Sequence, residues 1–249
     1  MVFYQAGSFS LMLFSFVVAV LLFYFFLYFS KNKLSDLCFS YVNMAWLGFP
    51  FAIALFGTKI SPAMVALYIG GSIFGNLWAV TAVSQTPLAF SFILKKVLCA
   101  PPMIALILAL ILRSVGVQHW SQHDLIDVIY SAAKFGMSFS GMCVLGMWLR
   151  HTKVEKADLW QSSQTALLKL ACGVVLCGLS YRYLAIPNIE QYIGVMFLLF
   201  CLPPAANIVA LETHYQGTGT SAKYIASGTI ISCVVVSIYG LLLHVFAVI

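Results

Sequence analysis

Charge is what this sequence has least of. Only 8% of its 249 residues are Asp, Glu, Lys or Arg, 13 of them basic and 7 acidic. Soluble domains carry about 25%, so an ordinary soluble fold is excluded. The excess of +6 forms no basic stripe interleaved with aromatics, which sets nucleic-acid binding aside. The 7 Cys contain no C-x-x-C pair, so neither a zinc site nor a disulfide framework is indicated. His119 and His123 have the i, i+4 spacing of a metal pair, but no third helical ligand accompanies them, and no metal is expected. The chain has no H-E-x-x-H motif, no paired intramembrane Asp and no nucleophile–His pair, so no enzyme and no cofactor are expected. The first residues carry no positive charge ahead of the long apolar run that follows, unlike a cleavable signal peptide.

What is present is apolar sequence, 62% hydrophobic with a mean hydropathy of +1.00. At about 20 apolar residues per crossing, this predicts an all-α polytopic membrane protein of about eight transmembrane helices. The spans fall near residues 8–29, 39–57, 61–83, 101–115, 125–149, 163–184, 190–214 and 222–248. If the first enters from outside, the inner loops hold Lys31, Lys33, Lys95, Lys96, Arg150, Lys153, Lys156 and Lys223. The outer loops hold Lys59, Arg113 and Arg182. That bias places both termini outside.

Two spans contain helix breakers. The second reads Asn43-Met-Ala-Trp-Leu-Gly48-Phe-Pro50, and the seventh contains Pro203-Pro204 followed by Asn207. Pro removes an N–H and clashes one turn back, so Pro50 is expected to free the carbonyl of Trp46, with Gly48 easing the bend. Pro203 and Pro204 would free those of Leu199 and Phe200. Such breaks survive in a bilayer where protein or a water-filled cavity covers them.

Residues 8–83 read as plain, broken, plain, and the last three spans repeat that order after an odd number of crossings. Inverted repeats with a broken helix in each half point to a secondary transporter. The chain is thus one membrane domain, with three helices of a first repeat over 8–83 and a five-helix second repeat over 84–249. A matching first repeat would need two further helices ahead of residue 8. Half-helix N-termini attract anions, and Asn43 and Asn207 add neutral amide donors beside the breaks. The plainer reading is a pair of Pro kinks with Asn bonded between helices.

Three other polar residues in the spans are candidates for function. Lys169 lies roughly two and a half turns in from Trp160, deep enough for a functional or paired charge or for a snorkelling side chain. Glu212 is a candidate proton or cation ligand, and Asn76 a candidate cavity residue.

The motif residues resemble the auxin efflux carrier family, the PIN-like transporters. The family's fourth helix reads roughly N-x-x-x-L-G-x-P, then an apolar run and L-F-G, as in Asn43, Leu47, Gly48, Pro50, Leu55, Phe56 and Gly57. Its ninth carries M-P-P-A-x-N followed by Y-G, against Leu202 to Asn207 with Tyr215 and Gly217 here. The resemblance implies a ten-helix inverted-repeat fold with two crossed broken helices and a substrate carboxylate at the crossing. By the same resemblance, helices three to five and eight to ten would move against a scaffold. Asn43, Gly48, Pro50, Pro203, Pro204 and Asn207 would line the site. It also implies a small organic anion as substrate, the lipid bilayer, H+ or Na+ as coupling ion, a homodimer through the scaffold helices, and a bacterial inner membrane. The sodium–bile acid symporter fold is the runner-up. The alternative function is a truncated or degenerate carrier that acts only through a partner.

Overall fold

The computed structural model describes residues 7–30, 32–84, 101–114, 152–184 and 186–245, with isolated positions between 91 and 150. The span expected over 125–149 and the pair His119 and His123 lie outside the continuously described residues. What is described is all-α. Helix α1 covers Ser8–Ser30 and α2 Lys33–Ser40; a π-helical turn over Met44–Gly48 leads into α3, Phe49–Phe56. Then come α4, Ser61–Phe74, a second π-helical turn over Gly75–Ala79, and α5, Val80–Val83. The later helices are α6, Pro101–Ser114; α7, Lys156–Tyr183; α8, Ile189–Cys201; α9, Asn207–Gln216; and α10, Ser221–Val245.

Four continuous helical stretches among the described residues are long and apolar enough to cross a membrane: Ser8–Ser30, Thr58–Val83, Lys156–Tyr183 and Ser221–Val245. Local chemistry sets several ends. Asn32 caps α2 by accepting from the N–H groups of Leu34 and Ser35, and α7 starts at a capping box of Glu155 and Asp158, each device satisfying backbone donors that a helix start leaves free. Gly217 ends α9 at φ 69°, a conformation that favours glycine. The exposed face of α10 carries Ile230, Val234, Ile238, Leu241 and Val245, and that of α7 carries Leu167, Val174 and Val175. Water disfavours apolar stripes of this size, whereas lipid tails accept them.

α1 packs along α4, and α7 packs along both α8 and α10. The short helices lie between these pairs: α2 touches α1 and α10, and α3 touches α4 and α8. One apolar cluster joins Leu11, Phe14, Met64, Leu67, Val195 and Met196 of α1, α4 and α8. The α1–α4 contact depends on Gly70, where a Cβ would stand 2.1 Å from the backbone oxygen of Met12. A backbone atom cannot move aside as a side chain can. Gly70→Ala is therefore expected to separate the helices and cost about 3 kcal/mol. Heating the detergent-solubilised variant and measuring the monodisperse fraction by gel filtration checks this.

The second and seventh expected spans are not single helices. Each is two short helices joined by extended backbone, α2 to the π-helical turn and α3 in one, α8 to α9 in the other.

Candidate functional site at the helix breaks

The extended joints meet. Val42 and Pro204 form an isolated antiparallel bridge. The N–H of Asn43 donates to the carbonyl of Pro203 at 2.9 Å, and the N–H of Ala205 donates to the carbonyl of Tyr41 at 2.9 Å. Val42 and Pro204 thus form a non-hydrogen-bonded pair, where neither residue's own N–H is used. Pro204 can sit there because its missing donor costs nothing at that place. Each broken segment satisfies backbone groups that the other leaves free.

This corrects the expected place and cause of the first break. The chain leaves the helix at Tyr41, with φ −97° and ψ 111°, and resumes after Asn43. Pro50 lies downstream, in the first turn of α3, where a missing N–H is tolerated. The π-helical turn before it is closed by the N–H of Gly48 donating to the carbonyl of Asn43 at 3.0 Å. Gly48 does not bend the chain either; its φ of −62° and ψ of −44° are helical. A Cβ there would meet Leu202 Cδ1 at 2.9 Å and Met64 Cε at 3.2 Å. Glycine lets the side-chain ends of Leu202 and Met64 lie close against this turn. In the second break α8 stops at Cys201, ahead of Pro203 and Pro204. The carbonyl of Leu199 is not free, since it accepts from the N–H of Leu202 at 3.4 Å.

A cavity of about 120 Å³ lies on the side of the bridge where the second halves begin. Its lining includes Tyr41, Asn43, Trp46, Tyr68, Ser72 and Asn207. The side chain of Asn43 is divided in its roles. Its Oδ1 accepts from the N–H of Trp46 at 3.2 Å, capping the resumed helix. Its Nδ2 is buried with no hydrogen-bond partner among the described residues. An unmade buried hydrogen bond costs about 1–3 kcal/mol, so Asn43, one of the lining residues, carries a buried donor without an acceptor among the described residues. Asn207 lies across the cavity, and its Nδ2 donates to the Tyr41 hydroxyl at 3.0 Å. The N-terminal ends of the π-helical turn and of α9 both open here, and helix starts favour negative charge. The cavity is neutral in formal charge, and its polar lining includes the amides of Asn43 and Asn207 and the hydroxyls of Tyr41, Tyr68 and Ser72.

Comparisons of the chain with protein-family models, with curated proteins and with solved structures find no match. The site's geometry therefore carries the functional reading.

The other sequence candidates separate from this cavity. Asn76 bonds back to its own helix, its Nδ2 donating to the carbonyl of Ser72 at 2.8 Å; it is not among the lining residues. Glu212 is fully buried and accepts from five donors on Thr218, Thr220 and Ser221. Its carboxylate holds the start of α10. Lys169 is also buried and donates to the carbonyl of Leu202 at 2.7 Å; it reaches inward rather than snorkelling. Among the described residues no cluster of three His, Cys, Asp or Glu side chains could hold a metal.

Two polar residues were not expected from the sequence, and only the first belongs to the crossing. Tyr41 supplies both a bridging carbonyl and a hydroxyl to the crossing. Asp36 is fully buried, with one oxygen accepting from Ser30 and Oδ2 without a hydrogen-bond partner among the described residues. Asp36 sits just after Lys33 in a segment that reads as a loop, and Tyr41 looks like one more aromatic in an apolar run. Long-range contacts single out Tyr41, and burial singles out Asp36.

Proposed function

We propose that this protein is a secondary carrier of a small organic anion, a carboxylate in the first instance, bound where the two broken segments cross. The observation that carries the reading is the buried amide donor of Asn43, without a partner among the described residues, on a residue that lines a cavity at two helix starts. A purely structural kink has no need of a cavity lined with donors. The paired breaks, each between two longer helices, support an inverted-repeat transporter architecture. With the segments over 101–150 counted as spans, the fold has about eight crossings. The motifs around Asn43–Gly57 and Leu202–Asn207 support placing it with the auxin efflux carriers, in a bacterial inner membrane.

Uptake into proteoliposomes tests this. Labelled dicarboxylates and auxin-like acids are offered to the reconstituted protein, and at least one is expected to accumulate above protein-free vesicles and to be competed by unlabelled acid. Failure of every acid tested would favour the degenerate form that works only with a partner. Gly48→Leu is expected to abolish uptake, because the added side chain must occupy the contact with Leu202 and Met64, and uptake equal to that of the natural protein would remove the crossing from the mechanism.

A further inference from the structure

A second cavity, of about 70 Å³, lies across the bridge from the first. Lys169, Cys201, Leu202, Ser232, Ser162 and Gly228 are among its walls. Here the first half of the seventh span ends, and a helix end presents carbonyl oxygens that carry partial negative charge. In carriers with broken helices, half-helix C-terminal ends and unwound carbonyls are what coordinate a coupling cation. In this chain two of the carbonyls at this end are engaged by side chains. That of Cys201 accepts from the Ser232 hydroxyl, and that of Leu202 accepts from the Lys169 ammonium at 2.7 Å.

The Lys169 side chain is 5% exposed, and no other hydrogen bond and no carboxylate partner accompanies it among the described residues. Its position is roughly 20 Å along α7 from Lys156 at 1.5 Å per residue, well inside the apolar thickness. A charge there needs a compensating partner. The partner is the carbonyl end of α8, which engages one of the three donors an ammonium carries.

We propose that Lys169 is a tethered cation: its ammonium fills the place at the end of α8 that a solution cation would otherwise occupy. The two cavities then divide the crossing by sign. Helix starts and amide donors make one receptive to an anion, and helix ends make the other receptive to a cation that the chain itself supplies. Resting on the carrier reading, the consequence is that transport draws no sodium ion at this position.

Thermal unfolding of the purified full-length protein in detergent tests the assignment without reference to transport. Melting is compared in sodium, potassium, methylammonium and choline chlorides at equal ionic strength. The natural protein is expected to melt at one temperature in all four. Lys169→Ala is expected to melt lower by about 3 °C or more in choline, and to recover at least half of that loss in sodium or methylammonium, which fit the vacated place as choline does not. Lys169→Met keeps the length of the stem without the charge, and is expected to melt lower in all four salts. If Lys169→Ala fails to accumulate, Lys169→Met and the salt series on the natural protein decide. Sodium stabilisation of the natural protein would overturn the proposal, and so would a Lys169→Met variant as stable as the natural one. Proteoliposome uptake that proved sodium-dependent through this site would overturn the tethered cation while leaving the carrier intact. Absent uptake with the expected melting pattern would do the reverse.

Discussion

Asn43→Asp is expected to leave the fold standing and to reduce anion uptake by about 10- to 100-fold. The substitution separates the two halves of the natural side chain. An Asp oxygen still accepts from the N–H of Trp46, as Oδ1 of Asn43 does at 3.2 Å, and Asp is as good a cap as Asn. Its charge also suits a helix start. What disappears is the donor at Nδ2, which has no partner among the described residues. A hydrogen bond to a charged group contributes about 1.5–3 kcal/mol, and each 1.4 kcal/mol is tenfold in affinity. The new carboxylate also repels an anion in the same cavity. Asn43→Ala is the less informative change, because it deletes the cap together with the donor and lowers stability by about 1 kcal/mol. The readouts are initial uptake rate and melting temperature on the same preparation. Unchanged uptake in a well-folded Asn43→Asp protein would remove the amide from substrate binding, whatever the cavity does.

Much of the helical layout was legible because long apolar runs leave few alternatives. α1 begins and ends within about a residue of where hydropathy alone places it, and α10 begins just as near. The seventh span's interruption was legible too, since two consecutive prolines stop a helix in almost any surroundings. The second span shows where local rules fail. Pro50 looked like the cause of its break, yet it sits harmlessly in a first turn. The break is made upstream, by the Asn43 cap and by pairing with Pro203 and Ala205, residues far away in sequence. Nothing within one segment reveals that the other will supply a strand-like partner. Gly48 was legible as a member of the site but not in its role. It leaves room for the Leu202 side chain rather than supplying backbone freedom.

The polar residues divide in the same way. The depth of Lys169 followed from counting turns, but its partner, the carbonyl of Leu202, depends on where α8 stops. Asn76 looked like a cavity residue by position. Its amide instead turns back onto the carbonyl of Ser72 one turn earlier, an outcome open to any amide on a helix. Sequence position locates a polar group along the membrane normal; it does not say which neighbour its hydrogen bonds will choose.

Glu212 carries the largest expected effect on stability. Glu212→Ala should lower the unfolding free energy by about 3 kcal/mol or more, because five donors lose one acceptor group together and each hydrogen bond to a charged group contributes about 1.5–3 kcal/mol. Two of those donors are backbone N–H groups, those of Thr220 at 2.8 Å and Ser221 at 2.8 Å, and they cannot rotate away as hydroxyls can. They stand at the start of α10, so the carboxylate also offsets the positive end of that helix. Glu212→Gln keeps the shape and one carbonyl oxygen, but its NH2 faces donors on one side. It is expected to recover part of the loss and to melt between the natural protein and Glu212→Ala. The graded order separates a structural carboxylate from a coupling one. A proton or cation ligand would give a Glu212→Gln protein of natural stability with altered uptake. A helix-anchoring carboxylate gives lowered melting first, with the loss of uptake following the loss of folded protein.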